Sequence, residues 1–167
     1  SLTAPEACAH AATALRSVHP GWKLDLCPLT DGGEGFCEIL SRAALATIQT
    51  HTVSGPRGQP VTASIGFVRL EGISPVARAL LRLDRSAGRL AIIEMASASG
   101  LALLPPELRD PWQTTTVGTG ELIRVAARAD AAAILLGVGG SATHDLGLGA
   151  LASLGLEFLS AHGEPIA

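Results

Sequence analysis

Aromatic side chains are scarce in this sequence, which has no Tyr, three Phe and two Trp among its 167 residues. The formal net charge is −3, and the twelve Lys and Arg residues are scattered along the chain rather than gathered in a stripe. A nucleic-acid-binding surface needs clustered cations and aromatic rings on which bases stack. We therefore expect no nucleic-acid partner.

Long apolar runs and targeting signals are also missing. No apolar run reaches the ~18–20 residues that a membrane-spanning helix needs, and the opening SLTAPEACAH lacks the basic-then-apolar order of a signal peptide. The three cysteines, Cys8, Cys27 and Cys37, are odd in number and have no CxxC spacing, which favours small reduced thiols. We expect a cytoplasmic protein without a membrane partner.

Apolar residues are abundant instead, since 47% of the residues are hydrophobic and only 16% are charged. This composition predicts a packed core in one domain or in parts of two. The chain opens at Ser1 rather than Met, and its last residues, HGEPIA, are typical of a turn that leads to another strand. We expect both ends to be cuts through a longer protein. The oligomeric state is left open.

The first 50 residues predict an α/β order of elements. Thr3 and Glu6 have the spacing of a capping box, so a helix begins there, and His19-Pro20-Gly21 ends it. Residues 23–29 (KLDLCPL) alternate in polarity like a short strand, and a second helix follows the loop TDGGEG to about Ala46. A strand, a glycine turn and a helix in this order form half of a βαβ unit and favour a parallel sheet.

The middle of the chain has a β-hairpin pattern. Residues 48–53 and 61–68 flank the turn SGPRGQP, and residues 76–83 and 89–95 flank a second turn at 84–88. The composition changes near residue 50, from a βα to a β-hairpin pattern. We place a domain boundary there, between residues 1–50 and 51–167.

The last third returns to an α/β pattern. A helix is predicted from about Gly120, with Leu122, Ile123 and Ala126 on one face. Residues 131–136 (AAAILL) predict a strand that helices cover on both faces. A short helix, ALASLG, follows, and residues 156–159 begin a further strand.

The first candidate site is the loop Asp31-Gly32-Gly33-Glu34-Gly35, between the predicted strand and the second helix. Helix N-termini attract anions, and Gly32 and Gly33 would let the backbone approach a phosphate or a carboxylate closely. Asp31 and Glu34 would repel an anion unless Mg²⁺ or a substrate hydroxyl lay between them, so they favour metal binding or proton removal from an alcohol. The alternative is an aspartate cap before an ordinary glycine turn.

The second candidate site is the loop at 137–149, which holds five glycines in thirteen residues directly after the apolar strand. Its amides could cradle a phosphoryl group, with Ser141 and Thr143 adding hydroxyl donors. Asp145 could bind Mg²⁺ or accept the proton of an attacking hydroxyl. The alternative is a tight strand-to-helix turn that Asp145 caps.

Two further sequence patterns, a dinucleotide-binding fingerprint and a hydroxyl-rich segment, each allow more than one interpretation. Gly137, Gly139 and Ala142 fill G-x-G-x-x-G/A, and Glu157 lies where a ribose-binding acid would fall, so an NAD-dependent oxidoreductase is an alternative function. A Walker A motif is absent. The segment TTTVGTGE at 114–121, which contains Thr119, could add donors to the same cleft or be an ordinary helix start.

The sequence resembles the bacterial glycerate kinase family that lacks a Walker motif. The matching stretches occur in the family's order and cover nearly the whole chain: PLTDGGEGF at 28–36, HTVSGPRGQPVTA at 51–63, IEMASASGLALLPPELRDPWQTTTVGTGELI at 93–123 and LLGVGGSATHDLGLGALASLG at 135–155. The resemblance implies transfer of phosphate from ATP to D-glycerate with Mg²⁺, giving 2-phosphoglycerate, with 3-phosphoglycerate as the alternative.

The resemblance also implies a fold of two α/β domains, with the active site in the cleft between them. Residues 1–50 would form the N-terminal part of a discontinuous flavodoxin-like domain, and residues 51–167 would begin a second, mixed α/β domain. The residues expected to act in catalysis are Asp145, Asp31 and Glu34, with Asp145 also a Mg²⁺ ligand. Those expected to bind phosphate or substrate are Gly32, Gly33, Gly35, Gly139, Gly140, Ser141, Thr143 and Thr119.

The chain departs from the family pattern at two positions of the second loop. His144 stands where Asn is usual, and Leu146 stands where Gly is usual. The family also has an Asp and a Lys just before the position of Ser1, and it continues well beyond Ala167. A catalytically inactive, truncated relative is therefore a third possible identity.

Overall fold

The computed structural model describes residues 2–83 and 88–165, which form six α-helices and a four-stranded sheet. The helices are α1 (Ala4–Val18), α2 (Phe36–Ala43), α3 (Pro75–Leu80), α4 (Ala96–Ser99), α5 (Val117–Arg128) and α6 (Leu148–Ser153). The strands are β1 (Thr47–Ser54), β2 (Pro60–Arg69), β3 (Arg89–Glu94) and β4 (Ala131–Gly137). The predicted α/β class is confirmed.

The sheet has the order β1-β2-β3-β4. β2 is antiparallel to both of its neighbours, β1 and β3, whereas β4 runs parallel to β3. The hairpin predicted around SGPRGQP is thereby confirmed, with Ser54 opposite Pro60. α5 lies in the crossover that a parallel β3–β4 pair requires, and the carboxyl ends of both strands meet at one edge of the sheet.

Helices pack on both faces of this sheet. On one face, α4 and α5 cover β1, β2 and β3, and Leu122 and Ala126 of α5 are fully buried there, as the helical periodicity predicts. On the other face, Phe36 and Leu40 of α2 pack against a cluster that includes Leu90 and Ile92 of β3. β3 is therefore apolar along most of its length and ends in the acidic Glu94.

The first helix forms as its capping box predicts. Thr3 and Glu6 exchange hydrogen bonds at the start of α1, and His19 ends the helix. The His19 ring stacks on Trp22 with ring centroids 4.0 Å apart. Among the described residues of α1, Ala12 alone is buried, so α1 adds little to the core.

Three predicted strands are wrong. Residues 23–29 have no regular secondary structure and are mostly exposed, and residues 156–159 contribute only one isolated bridge, from Leu159 to Pro165. Neither segment has a neighbouring strand in the described part of the chain, and alternation alone does not make a ladder. Residues 76–83 were expected in a β-hairpin, but Ser74 caps a helix there with Pro75 in its first turn. Residues 84–87 of the predicted turn lie outside the described residues.

β4 is a strand as predicted, but it is less covered than expected. It is the last strand of the described sheet, and Ile134 is 37% exposed. The domain boundary at residue 50 stays a prediction, although β1 runs through that position and α2 packs against β2 and β3. No helix of the described chain is both long and apolar enough to span a membrane.

Candidate active site

The two glycine loops contact each other backbone to backbone at the sheet edge where β3 and β4 end. We call residues 31–35 the first loop and residues 137–145 the second loop. The N–H of Gly139 donates a hydrogen bond to the carbonyl oxygen of Gly32 over 2.9 Å. This edge of an α/β sheet is where such folds bind ligands, so the structure brings two segments of distant sequence into one candidate site.

Gly139 is required for this contact. A Cβ atom at residue 139 would lie 2.7 Å from the nitrogen and 2.9 Å from the Cα of Gly33. Both are backbone atoms that cannot swing away like a flexible side chain. Any other residue type at 139 would therefore push the two loops apart.

The two acids of the first loop line a shared cavity of about 440 Å³. Asp31 accepts a hydrogen bond from the Gly33 N–H over 3.0 Å, which folds the loop back on itself. Glu34 reaches toward the second loop, since a Cβ built on Gly140 would lie 3.6 Å from its Oε1 atom. Both side chains are exposed, so they are open to a metal ion or a substrate hydroxyl.

Three amides in and next to the first loop already have acceptors within the protein. Gly32 N–H donates to the Thr30 hydroxyl over 3.4 Å, and Gly33 N–H donates to Asp31. Cys37 N–H, in the first turn of α2, donates to the Glu94 carboxylate over 3.1 Å. The start of α2 thus holds an anion from within the protein, in a position where the sequence predicted an external one.

Two successive amides of the second loop have no such acceptor in the described part of the chain. Within residues 2–83 and 88–165, the N–H groups of Gly140 and Ser141 have no hydrogen-bond acceptor. Gly140 has a φ of +69°, which turns the backbone at this point. Successive free amides at such a turn form an anion-binding concavity. The second loop therefore carries donors suited to a phosphoryl group.

Glu94 is a residue of the site that the sequence analysis missed. It is 8% exposed, and this burial raises the pKa of its carboxyl group. The hydrogen bond from Cys37 N–H opposes the increase, whereas the charge of Glu34 adds to it. The sequence did offer a signal for Glu94. It is an acidic residue directly after the apolar strand pattern RLAII, and strands of this kind end at the sheet edge where ligands bind.

Asp145 has its carboxylate engaged by five donor groups, of which the Thr115 hydroxyl is the most distant, at 3.5 Å. Its Oδ2 accepts from the N–H and the hydroxyl of Thr116, each at 2.8 Å, and from Gly149 N–H at 3.2 Å. Its Oδ1 accepts from Gly147 N–H at 3.1 Å. Burial tends to raise the pKa of Asp145, but these hydrogen bonds outweigh burial and lower it. Asp145 is thus an ionised anchor that ties the second loop to the starts of α5 and α6.

Asp145 is not part of a preformed metal cluster. No group of three or more His, Cys, Asp and Glu side chains in the described chain is arranged to hold a metal ion. Asp145 therefore does not join Asp31 and Glu34 in such a group. A metal here would need ligands from the substrate as well, which is usual for Mg²⁺ in phosphoryl transfer.

The hydroxyl residues of the predicted site divide into two sets. Ser141 and Thr143 hydrogen-bond to each other over 2.7 Å within the second loop and are half-buried. Thr119 is only 3% exposed and pairs with the Ser99 hydroxyl over 2.8 Å between α4 and α5. The structure therefore places Thr119 in the interior, away from the loop surface where a ligand would bind.

The two unusual residues of the second loop have different surroundings. His144 is exposed and meets the Trp112 ring edge to face, with centroids 5.9 Å apart. Leu146 has a φ of 55° and is 87% exposed. A left-handed backbone costs a side-chain-bearing residue about 1–2 kcal/mol, which Gly avoids. Position 146 therefore does need positive φ, and Leu is strained there.

The dinucleotide fingerprint lacks its structural context. A Rossmann loop runs directly into a helix whose N-terminus holds the pyrophosphate, but α6 begins only at Leu148, well beyond Ala142. Glu157 follows no second strand in the described chain. The geometry of the second loop therefore does not favour NAD.

Comparison with known proteins settles the family. The model of the Glycerate kinase family matches residues 1–167. The chain belongs to the glycerate kinase family. It is 40% identical over 166 residues to a glycerate kinase of Bacillus subtilis strain 168, and 38% identical over 166 residues to a glycerate 2-kinase of Escherichia coli K12.

The solved structures agree with this assignment. A crystal structure of glycerate kinase 2 from Salmonella typhimurium LT2 is 40% identical, with a TM-score of 0.71 over 100% of this chain and 40% of the other. The alignments with the two curated enzymes include 99% of this chain and 39% of each relative. The chain thus spans about two fifths of the length of the family members it matches.

We predict that Gly139→Ala separates the two loops. The added Cβ overlaps the Gly33 backbone, and overpacking of this kind costs about 1–3 kcal/mol of unfolding free energy. Urea denaturation measures the loss. Gly72→Ala is the matched control, because a Cβ there meets no atom within 4 Å, and it should change stability by less than about 1 kcal/mol. Equal effects of the two variants would contradict the loop contact.

We predict that Glu94→Gln stabilises the protein increasingly as pH rises. Burial raises the folded-state pKa of Glu94 above its unfolded value of 4.5. The contribution of Glu94 to the free energy of unfolding is therefore fully present below pH 4.5. It is lost as the pH rises through the folded-state pKa of Glu94. Gln keeps an acceptor for Cys37 N–H but does not ionise. Urea denaturation across a pH series should show the variant's advantage growing above about pH 4.5.

The control for this series is Glu107→Gln, an exposed acid outside the site. Its effect on the free energy of unfolding should be small at every pH. A constant difference between the wild type and Glu94→Gln would contradict a raised pKa for Glu94.

Proposed function

We propose that this protein is a kinase that transfers the γ-phosphate of ATP to D-glycerate. The observation that supports it is the contact of the two glycine loops in a member of the glycerate kinase family. Gly140, whose amide is free, lies near the exposed carboxylate of Glu34, and Asp31 belongs to the same loop as Glu34. Donors for an anion and an acceptor for a proton are the two requirements of phosphoryl transfer to an alcohol.

The second loop would bind the phosphates. The N–H groups of Gly140 and Ser141 would donate to phosphate oxygens. The hydroxyl pair of Ser141 and Thr143 would add one further donor, because one of these hydroxyls donates to the other. Gly139 has no free amide, because its N–H is bonded to Gly32. Its role in this proposal is to bring the first loop within reach. Phosphoryl transfer needs mainly such positioning and charge stabilisation.

The first loop would act on glycerate. The glycerate hydroxyl oxygen would form the new bond to the γ-phosphorus, and the bond to the β–γ bridging oxygen would break with its electrons leaving on ADP. The hydroxyl proton would pass to Glu34. We assign this role to Glu34 rather than to Asp145, because the low pKa and the bound donors of Asp145 make it a weaker base.

Asp31 and Asp145 are better suited to binding a Mg²⁺ ion than to accepting the proton of the glycerate hydroxyl. Carboxylate oxygens are the hard ligands that this ion prefers. Asp31 is exposed beside Glu34, and within the described part of the chain the Oδ1 atom of Asp145 accepts only the Gly147 N–H. When bound, Mg²⁺ would neutralise charge on the transferring phosphoryl group.

The expected product is 2-phosphoglycerate. The Escherichia coli relative, 38% identical to this chain, bears the name glycerate 2-kinase, which favours the 2-hydroxyl over the 3-hydroxyl as acceptor. The substrates would be small molecules, and no partner macromolecule is required by this chemistry. ³¹P and ¹³C spectra of the product would distinguish the two phosphate positions.

We predict that the intact gene product releases ADP from ATP only when D-glycerate is present. Glu34→Gln should lower kcat about 100-fold or more, as expected for loss of a general base, with little change in the KM for glycerate. Glu38→Gln is the control, because Glu38 is an exposed acid of α2 that pairs with Arg42. A coupled assay for ADP measures all three proteins.

Two outcomes would contradict this assignment. ADP release that does not depend on glycerate would overturn the acceptor, and near-normal turnover by Glu34→Gln would overturn its role as base. Reduction of NAD⁺ with glycerate, without use of ATP, would restore the oxidoreductase alternative.

A further inference from the structure

A cavity of about 500 Å³ opens beside the second loop, and of its lining the reaction described above uses only Ser141 and Thr143. One wall is the second loop itself, with Ser141, Thr143 and His144. The other wall comes from the irregular segment between α4 and α5 and includes Arg109 and Trp112. No acidic side chain lines the cavity.

Arg109 supplies an uncompensated positive charge to this cavity. Its Nε–H donates to the carbonyl oxygen of Leu104 over 3.1 Å, which orients the guanidinium group. The terminal nitrogens make no ion pair with a carboxylate among the described residues. A guanidinium held in this way presents its two terminal N–H₂ groups to an oxyanion, for which it is the best-suited side chain.

Trp112 supplies a flat aromatic surface. Its backbone N–H donates to Asp110 over 3.0 Å, and its side chain is nevertheless 84% exposed. The edge of His144 supports one side of the ring, and Leu101 and Pro111 extend the apolar wall. Nucleic-acid bases stack on exposed aromatic rings of this kind, whatever the base.

We infer that this cavity is the binding subsite for a nucleoside phosphate, with the base on Trp112 and phosphate oxygens on Arg109 and the hydroxyls of Ser141 and Thr143. The inference rests on the proposed function and assigns its ATP to one side of the second loop. Glycerate is a poor fit, because it has no planar apolar group to cover Trp112 and fills only a small part of about 500 Å³. The cation and the aromatic wall together match a nucleotide.

The kinetic test compares Arg109 variants of the intact gene product. Arg109→Gln should raise the KM for ATP at least about tenfold and leave the KM for D-glycerate unchanged. Arg109→Lys should fall between the wild type and Arg109→Gln, because it keeps the charge but loses the planar fork. Arg16→Gln, an exposed site on α1, should change neither constant. An unchanged KM for ATP in Arg109→Gln would overturn the subsite.

The binding test uses tryptophan fluorescence and needs no turnover. Trp22 and Trp112 are the two tryptophans of the sequence, so Trp22→Phe leaves Trp112 as the only reporter in this chain. ADP should quench it, adenosine should quench it at higher concentration, and neither D-glycerate nor inorganic phosphate should do so. Adding Arg109→Gln should weaken ADP binding about tenfold and leave adenosine binding unchanged.

The two tests separate this inference from the proposed function. Quenching by D-glycerate, or ADP binding that leaves Trp112 fluorescence unchanged, would overturn the subsite even if the kinase is active. Normal turnover by the Trp112→Ala variant would also overturn the subsite. Quenching by ADP in a protein that shows no glycerate-dependent ADP release would overturn the proposed function and leave the subsite in place.

Discussion

The hydrogen bond from Gly139 N–H to the Gly32 carbonyl is the contact on which the candidate site depends. The two loops lie more than a hundred residues apart in sequence, and each comes from a different structural unit: one precedes α2, the other follows β4. Only a residue without Cβ allows the backbones to approach so closely. This constraint brings Glu34 of the first loop near Gly140 of the second.

Charge is divided between the two loops in a consistent way. Glu94 fills the N-terminus of α2 from within, and Asp31 and Glu34 add further negative charge to the first loop. The second loop has free amides, and Arg109 stands beside its hydroxyls. Asp145 fixes that loop to α5 and α6 through Thr116 and Gly149. A phosphate-bearing ligand would thus meet the amides and the positive charge at the second loop, and a hydroxyl-bearing acceptor would meet the acids of the first loop.

Short sequence patterns predicted the elements whose formation depends mainly on residues close together in the chain. The capping box at Thr3, the hairpin around SGPRGQP and the buried face of α5 all formed as expected. The alternation at 23–29 failed because a strand also needs a neighbour. The burial of Thr119 was not predicted, because a hydroxyl pattern does not show which side of a helix faces the core. Glu94 escaped notice for the same reason, since its role appears only when β3 meets α2.

The two-loop site is tested most directly by the amide resonances of this chain in a ¹⁵N-labelled sample titrated with ADP. If the second loop holds the phosphates, the largest shift changes fall on the amides of Gly140 and Ser141, which have no internal acceptor. The amides of Gly33 and Cys37, which Asp31 and Glu94 already bind, change little. Shift changes centred on Gly33 and Cys37, with Gly140 and Ser141 unaffected, would contradict the assignment of phosphate binding to the second loop.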